Sequence, residues 1–237
     1  MGDHVRVPRR NITLSRQVPR GTVRVSRNVG VCLLMVAAFG YCGWALEFLL
    51  PTQLPAAGSY IVELSAADRP HSTLFRAIDF GTGAAALGAT PFLGRLVPVQ
   101  LLPRLTVTTV GVFGVLMLLR GGMILDCAPS VSQACVSRQA RDAVSAAHST
   151  GWVLTIAVHA LFLLGVASAE RWFARGFWRN GMRLALALMV LTGVAVLLSV
   201  TLGGGDYVGV LVRVQTFVQA ATLFLGAVYL LSLARAR

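Results

Sequence analysis

Glu63, Asp126 and His148 are side chains that can ligate a divalent cation or act as general acid and base, and Ser65, Ser149 or a metal-bound water can supply a nucleophile beside them. Asp126, His148 and Ser149 together would make a membrane-embedded hydrolase acting on a lipid, with Asp126 and His148 as metal ligands or as the acid–base pair. No H-E-x-x-H, G-x-S-x-G or comparable local pattern fixes their geometry. The competing assignment gives these residues helix-end work: Asp126 caps a helix or pairs with Arg120, and His148 caps the helix that follows it.

A second group consists of charges inside apolar runs. The stretch LMLLRGGMILDCAPSVSQAC, residues 116–135, carries Arg120 within a run that ends on Asp126 and Cys127. Glu47, Asp79 and Arg213 are embedded in other runs. At 1.5 Å of rise per residue, Glu47 and Asp79 lie about 6 Å from the outer ends of their runs, and Arg120 and Arg213 about 9 to 10 Å. Each alone would cost on the order of 2.5–3.5 kcal/mol in a bilayer, so such groups face the bundle interior and pair. The expectation is one outward-facing polar pocket, floored by Glu47, Asp79, Arg120 and Arg213 and rimmed by Glu63, Asp126 and His148. The alternative is that each arginine snorkels to the surface on its own.

The elements that must position these side chains are membrane helices. The chain is 56% hydrophobic and 13% charged, with a mean hydropathy of +0.72, whereas soluble domains are roughly 25% charged. Six apolar runs are long enough to span: about 29–50, 76–97, 105–125, 151–169, 184–202 and 208–233. The second is the weakest, since Arg76, Asp79 and Arg95 bracket a short Gly/Ala core and Pro91 should kink it. The fold expected is all-α, a polytopic bundle of six transmembrane helices in one domain over 29–237, preceded by an arginine-rich tail over 1–28.

Arginine placement orients this bundle. The tail holds Arg6, Arg9, Arg10, Arg16, Arg20, Arg24 and Arg27; Arg95 and Arg104 follow the second run; Arg171, Arg175, Arg179 and Arg183 follow the fourth; Arg235 and Arg237 end the chain. With six spans all four groups fall on one side, so both termini are expected in the cytoplasm. Cys127 and Cys135 then share an outer loop, on the oxidising side where a disulfide persists. The composition, with no lysine and abundant Ala, Val, Leu and Gly, reads as high-GC bacterial coding, which makes the bacterial plasma membrane the expected location. The N-terminal run is too long for a signal h-region and is expected to remain.

The net charge of +12 does not indicate nucleic acid, because no aromatic–basic interleaving accompanies the arginines. Membrane lipids are the expected partners, with anionic headgroups on the arginine-rich tail. The sequence leaves any cofactor or metal open. Haem is not expected: His148 and His159 share one helix, and a bis-histidine haem needs ligands facing across the bundle. His159 is read as a neutral histidine hydrogen-bonded to a neighbouring helix rather than as a ligand. The Gly203–Gly205 run is a hairpin rather than a phosphate loop.

Three stretches together resemble a known family. YIVELSAADRPHSTLFRAIDFGTG after the first run, LLRGGMILDCAPSVSQAC closing the third and DAVSAAHSTGW opening the fourth are similar to the bacterial six-helix membrane family catalogued as domain of unknown function 998. The resemblance covers most of residues 29–233 and implies functional weight for Glu63, Arg76, Asp79, Asp126 and His148. It departs from the commoner Ser-Glu-Leu-Gly form at Val62-Glu63-Leu64-Ser65, and it brings no established activity. The function expected is recognition of a lipid or amphipathic small molecule from the outer leaflet, with Glu47, Glu63, Arg76, Asp79, Arg120 and Arg213 as its ligand set. The hydrolase is the first alternative. A small-molecule transporter is the second, although no pair of broken helices in matching halves is evident.

Overall fold

Short connections force helices that are neighbours in sequence to be neighbours in space. The computed structural model describes residues 20–202 and 205–232. It is all-helical, with no strand among the described residues. Six long helices form: α1 (Arg20–Tyr41), α2 (Ser72–Gly94), α3 (Leu101–Gly122), α5 (Ala146–Trp172), α6 (Phe177–Leu202) and α7 (Val208–Ser232). A short α4 (Gln133–Ala140) lies in the connection between α3 and α5. Each long helix packs on the next and α7 packs back on α1, so the six close into a ring.

Four of them, α3, α5, α6 and α7, are long and apolar enough to cross a membrane. α1 and α2 match them in length, at 22 and 23 residues, but Arg24, Arg27 and Asn28 in α1, and Arg76, Asp79 and the Gly/Thr content of α2, lower their hydropathy. The arginines at positions 6, 9, 10, 16, 235 and 237, and Gly203 and Gly204 of the expected hairpin, lie outside the described residues.

The first run departs from the expected 29–50 helix. The α-helix starts at Arg20, within the segment read as tail, and stops at Tyr41; a 3-10 segment, Gly43–Phe48, follows. Arginine is a good helix former, so the helix extends beyond the apolar stretch. Its stop falls between two glycines pressed onto α2. A Cβ on Gly40 would overlap Thr82 Oγ1, and one on Gly43 would lie 2.5 Å from Ile78 Cγ2. α2 and α3 also meet backbone to backbone: a Cβ on Gly83 would stand 2.7 Å from both the Gly114 oxygen and the Leu118 nitrogen, the small-residue packing common between membrane helices. Pro91 lies inside α2, and the helix continues past it to Gly94.

The segment between α1 and α2 folds back over one end of the ring. Its second 3-10 helix, Ile61–Ser65, touches α2, α5 and α7. Hydrogen bonds fasten it, from Ala67 N–H to the Leu125 carbonyl at 2.8 Å and from Gly209 N–H to the Ala57 carbonyl at 2.7 Å. Val62, Ala66, Leu125 and Ala128 form a small second core beneath it. Deeper along the ring axis, Tyr41, Phe113 and Phe162 form a mutual aromatic cluster with centroids 5.1, 5.6 and 5.0 Å apart. Towards the far end Phe173 stacks on Tyr229 at 4.0 Å, flanked by Trp172 and Trp178.

Candidate binding cavity

The four embedded charges resolve into two bidentate pairs rather than one cluster. Arg213, one turn into α7 from Gly209, is buried at the capped end. Its Nε and Nη2 donate to Glu47 Oε1 and Oε2 at 2.5 and 2.6 Å. Nη1 donates to the Ser59 and Gly209 carbonyls at 2.7 and 3.0 Å, and Nη2 also reaches Ser59 Oγ at 3.3 Å. A guanidinium has five N–H donors, and all five are spent on the chain itself. This pair staples the 3-10 segment and the loop at Ser59 to α7, and Gly209 is required there because a Cβ would strike the Ala57 and Ser59 carbonyls at 2.6 Å.

Arg120 is built differently. Nε and Nη2 donate to Asp79 Oδ2 and Oδ1 at 2.9 and 2.6 Å across the α2–α3 contact. Nη1 makes no hydrogen bond among the described residues, and both partners line a cavity of about 390 Å³. Three of its five N–H donors, two of them on Nη1, therefore make no hydrogen bond among the described residues. Pairing with the nearest carboxylate on an adjacent element is what separates the four charges into two sites: Glu47 and Arg213 do not line the cavity.

All six long helices and the Ile61–Ser65 turn contribute to its wall. Most of the lining is apolar or aromatic, including Trp44, Phe75, Ile78, Ile156 and Val196. Three polar features stand out against it besides Arg120. The indole N–H groups of Trp44 and Trp152 are buried without acceptors among the described residues. His159 Nδ1 lies 2.8 Å from the Thr155 carbonyl, which can only accept, so Nδ1 carries the proton and Nε2 the lone pair. Gln215 and Thr216 complete the α7 face. The Tyr41 ring, whose hydroxyl donates to Gln219 Oε1 at 3.0 Å, closes the cavity towards Phe113 and Phe162.

The residues expected at the rim go to two other places. Asp126 accepts the Ser145 N–H and hydroxyl at 2.7 Å each, and Ser145 Oγ in turn caps α5 by accepting His148 N–H at 3.2 Å. These bonds hold the Asp126 carboxyl below its ordinary range. His148, fully buried, accepts the Asp126 backbone N–H on Nδ1 at 3.2 Å, and its Nε2 has no partner among the described residues. Ser149 is exposed and makes no bond to His148 among the described residues. Asp126 and His148 therefore join the end of α3 to the start of α5 in the helix-end role, and no three His, Cys, Asp or Glu side chains gather to hold a metal among the described residues.

Glu63 is buried in the capping segment, where its Oε2 accepts the Ser130 hydroxyl. Arg76 turns outward to donate from Nε to the Gly121 carbonyl at 3.0 Å, satisfying the open C-terminus of α3. Neither residue lines the main cavity. Cys127 and Cys135 lie at disulfide distance, with Cα atoms 5.9 Å apart, and close the loop that carries Ser130. No family model, curated protein or solved structure matches this chain.

Two signals for the cavity were present in the sequence. Gln215 and Gln219 stand four apart in α7, with Thr216 and Thr222 near the same face, a polar stripe that must point inward. Trp44, Tyr60 and Trp152 fall at the same ends of their elements as the buried charges. His159, expected to bond to a neighbouring helix, instead bonds to the Thr155 carbonyl of its own helix and lines the cavity.

Proposed function

We propose that this chain is a six-span protein of a bacterial plasma membrane, with both termini in the cytoplasm, whose cavity binds a lipid or other amphipathic small molecule from the outer leaflet. The observation that carries the reading is the half-spent Arg120. It is a buried guanidinium neutralised by Asp79, with Nη1 free toward a cavity of about 390 Å³, within the size range of small-molecule sites. The walls suit an alkyl or acyl body. Arg120 Nη1 and the unpartnered indole N–H groups of Trp44 and Trp152 suit acceptor oxygens of the ester, carboxyl or phosphoryl kind.

Six spans and an outward cavity follow from arginine placement. Arg95, Arg104, Arg171, Arg175, Arg179 and Arg183 cluster about the end of the ring opposite Cys127 and Cys135, and basic residues favour the cytoplasmic side where thiols stay reduced. Those arginines and the N-terminal ones are the proposed contact for anionic headgroups. Membership of the domain of unknown function 998 family is part of the same proposal. Binding is favoured over hydrolysis because His148 Nδ1 is already occupied by the Asp126 N–H. It is favoured over passage because Tyr41, which lines the cavity, packs on Phe113 and Phe162.

The test is lipid extraction and mass spectrometry of the purified full chain, beside the double variant Asp79→Leu with Arg120→Met. The wild type is expected to retain a stoichiometric amphiphile with an acceptor oxygen and the variant to lose it. Equal retention by both, or none by the wild type, contradicts the reading.

A further inference from the structure

A second hollow of about 410 Å³ lies at the capped end and shares Tyr60 and Trp152 with the main cavity. These two rings meet edge to face at 5.0 Å, forming a common wall. Ser130, Gln139 and Glu63 bring the polar groups, and Glu63 is the one charged side chain among the described residues lining it. Glu63 is 1% exposed. Ser130 satisfies Oε2, while Oε1 has no hydrogen-bond partner among the described residues.

A buried carboxylate oxygen without a donor is expensive, and Ser130 offsets only part of that cost, because its hydroxyl donates to Oε2 rather than Oε1. The nearby guanidinium of Arg213 acts on Glu63 only at a distance, since its five N–H donors are committed to Glu47, Ser59 and Gly209. Asp68, on the same segment, adds a further negative charge. Burial accordingly pushes the Glu63 carboxyl up to about 7. What the hollow lacks is a cation that brings its own N–H donors. Aromatic faces beside a carboxylate are the usual surroundings for such a group.

We propose that this hollow holds the ammonium headgroup of the amphiphile whose apolar part fills the main cavity, with Glu63 Oε1 accepting its N–H and the Tyr60 and Trp152 rings flanking it. The inference rests on the binding reading above and narrows it to amine-bearing amphiphiles. Tyr60 and Trp152 line both spaces, which puts the charged end beside Glu63 and the apolar remainder against the same two rings on the Arg120 side.

The test titrates the full chain, in a neutral sugar detergent at mildly alkaline pH, with dodecylammonium, dodecanol and ethylammonium, following tryptophan fluorescence. Wild-type protein is expected to prefer dodecylammonium over dodecanol by about tenfold or more. Glu63→Gln, which keeps a hydrogen-bond acceptor for Ser130, is expected to abolish that preference, so that the two compounds bind alike. The wild-type comparison alone decides the matter if that variant fails to fold. Equal binding of dodecylammonium and dodecanol overturns the headgroup inference and leaves the cavity reading standing. Equal binding of ethylammonium and dodecylammonium supports the ammonium site and overturns the placement of a chain in the cavity. Binding of none of the three overturns both.

Discussion

Replacing each of the two buried arginines by lysine should have opposite consequences. Arg213 spends five N–H donors on Glu47, Ser59 and Gly209, and an ammonium offers three, so at least two bonds to a charged donor are lost. At about 1.5–3 kcal/mol each, Arg213→Lys should destabilise the fold by roughly 3–6 kcal/mol. Arg120 spends two donors on Asp79, which three ammonium protons can cover, so Arg120→Lys should cost under about 2 kcal/mol. The ligand reports the reverse: Arg120→Lys removes Nη1 from the cavity and should strip the bound amphiphile, whereas folded Arg213→Lys should keep it. Equilibrium unfolding in mixed micelles measures the first effect and lipid quantification the second. An Arg213→Lys protein as stable as wild type, or equal costs for the two substitutions, refutes the assignment of one arginine to structure and the other to ligand.

Asp79→Asn leaves the Arg120 charge unpaired and should cost about 3–5 kcal/mol, while Asp79→Leu with Arg120→Met should return close to wild-type stability in the same unfolding assay. The Glu63 carboxyl is raised from 4.5 to about 7, so the unfolded chain ionises it first. Stability should fall as pH rises from 4.5 to 7, by on the order of 3 kcal/mol, and Glu63→Gln should flatten that part of a melting-temperature profile. Asp126, held below its ordinary range, acts in the opposite sense but only at more acid pH. Gly83→Val should part α2 from α3 and lower the melting temperature, since its Cβ would meet backbone atoms at 2.7 Å, whereas Gly81→Ala, with nothing within 4 Å, should be close to silent.

Much of this architecture is legible in the sequence because hydropathy over some twenty residues is a coarse property that packing does not overturn. The ranges of α6 and α7 end or begin where the apolar runs do. α1 is the instructive departure: its stop at Tyr41 depends on Gly40 and Gly43 fitting against Thr82 and Ile78, a contact between helices that no single-run statistic contains. Depth counting placed Glu47, Asp79, Arg120 and Arg213 near one level, and they do pair. It could not say that Arg213 would be saturated by backbone carbonyls at Ser59 and Gly209, because those oxygens come from a loop whose path is set by tertiary packing. Asp126 and His148 went to helix-end work for a similar reason. Ser145 supplies the cap and Asp126 holds it, a local geometry with a sequence signal too short to separate from catalysis.

The most direct measurement is electron cryo-microscopy of the full chain in native-lipid nanodiscs, read for density in the cavity beside Arg120. The expected result is an amphiphile with an oxygen about 3 Å from Arg120 Nη1 and its chain against Ile156 and Val196. A cavity holding water alone, or lipid found only on the outer surface of the ring, would contradict it.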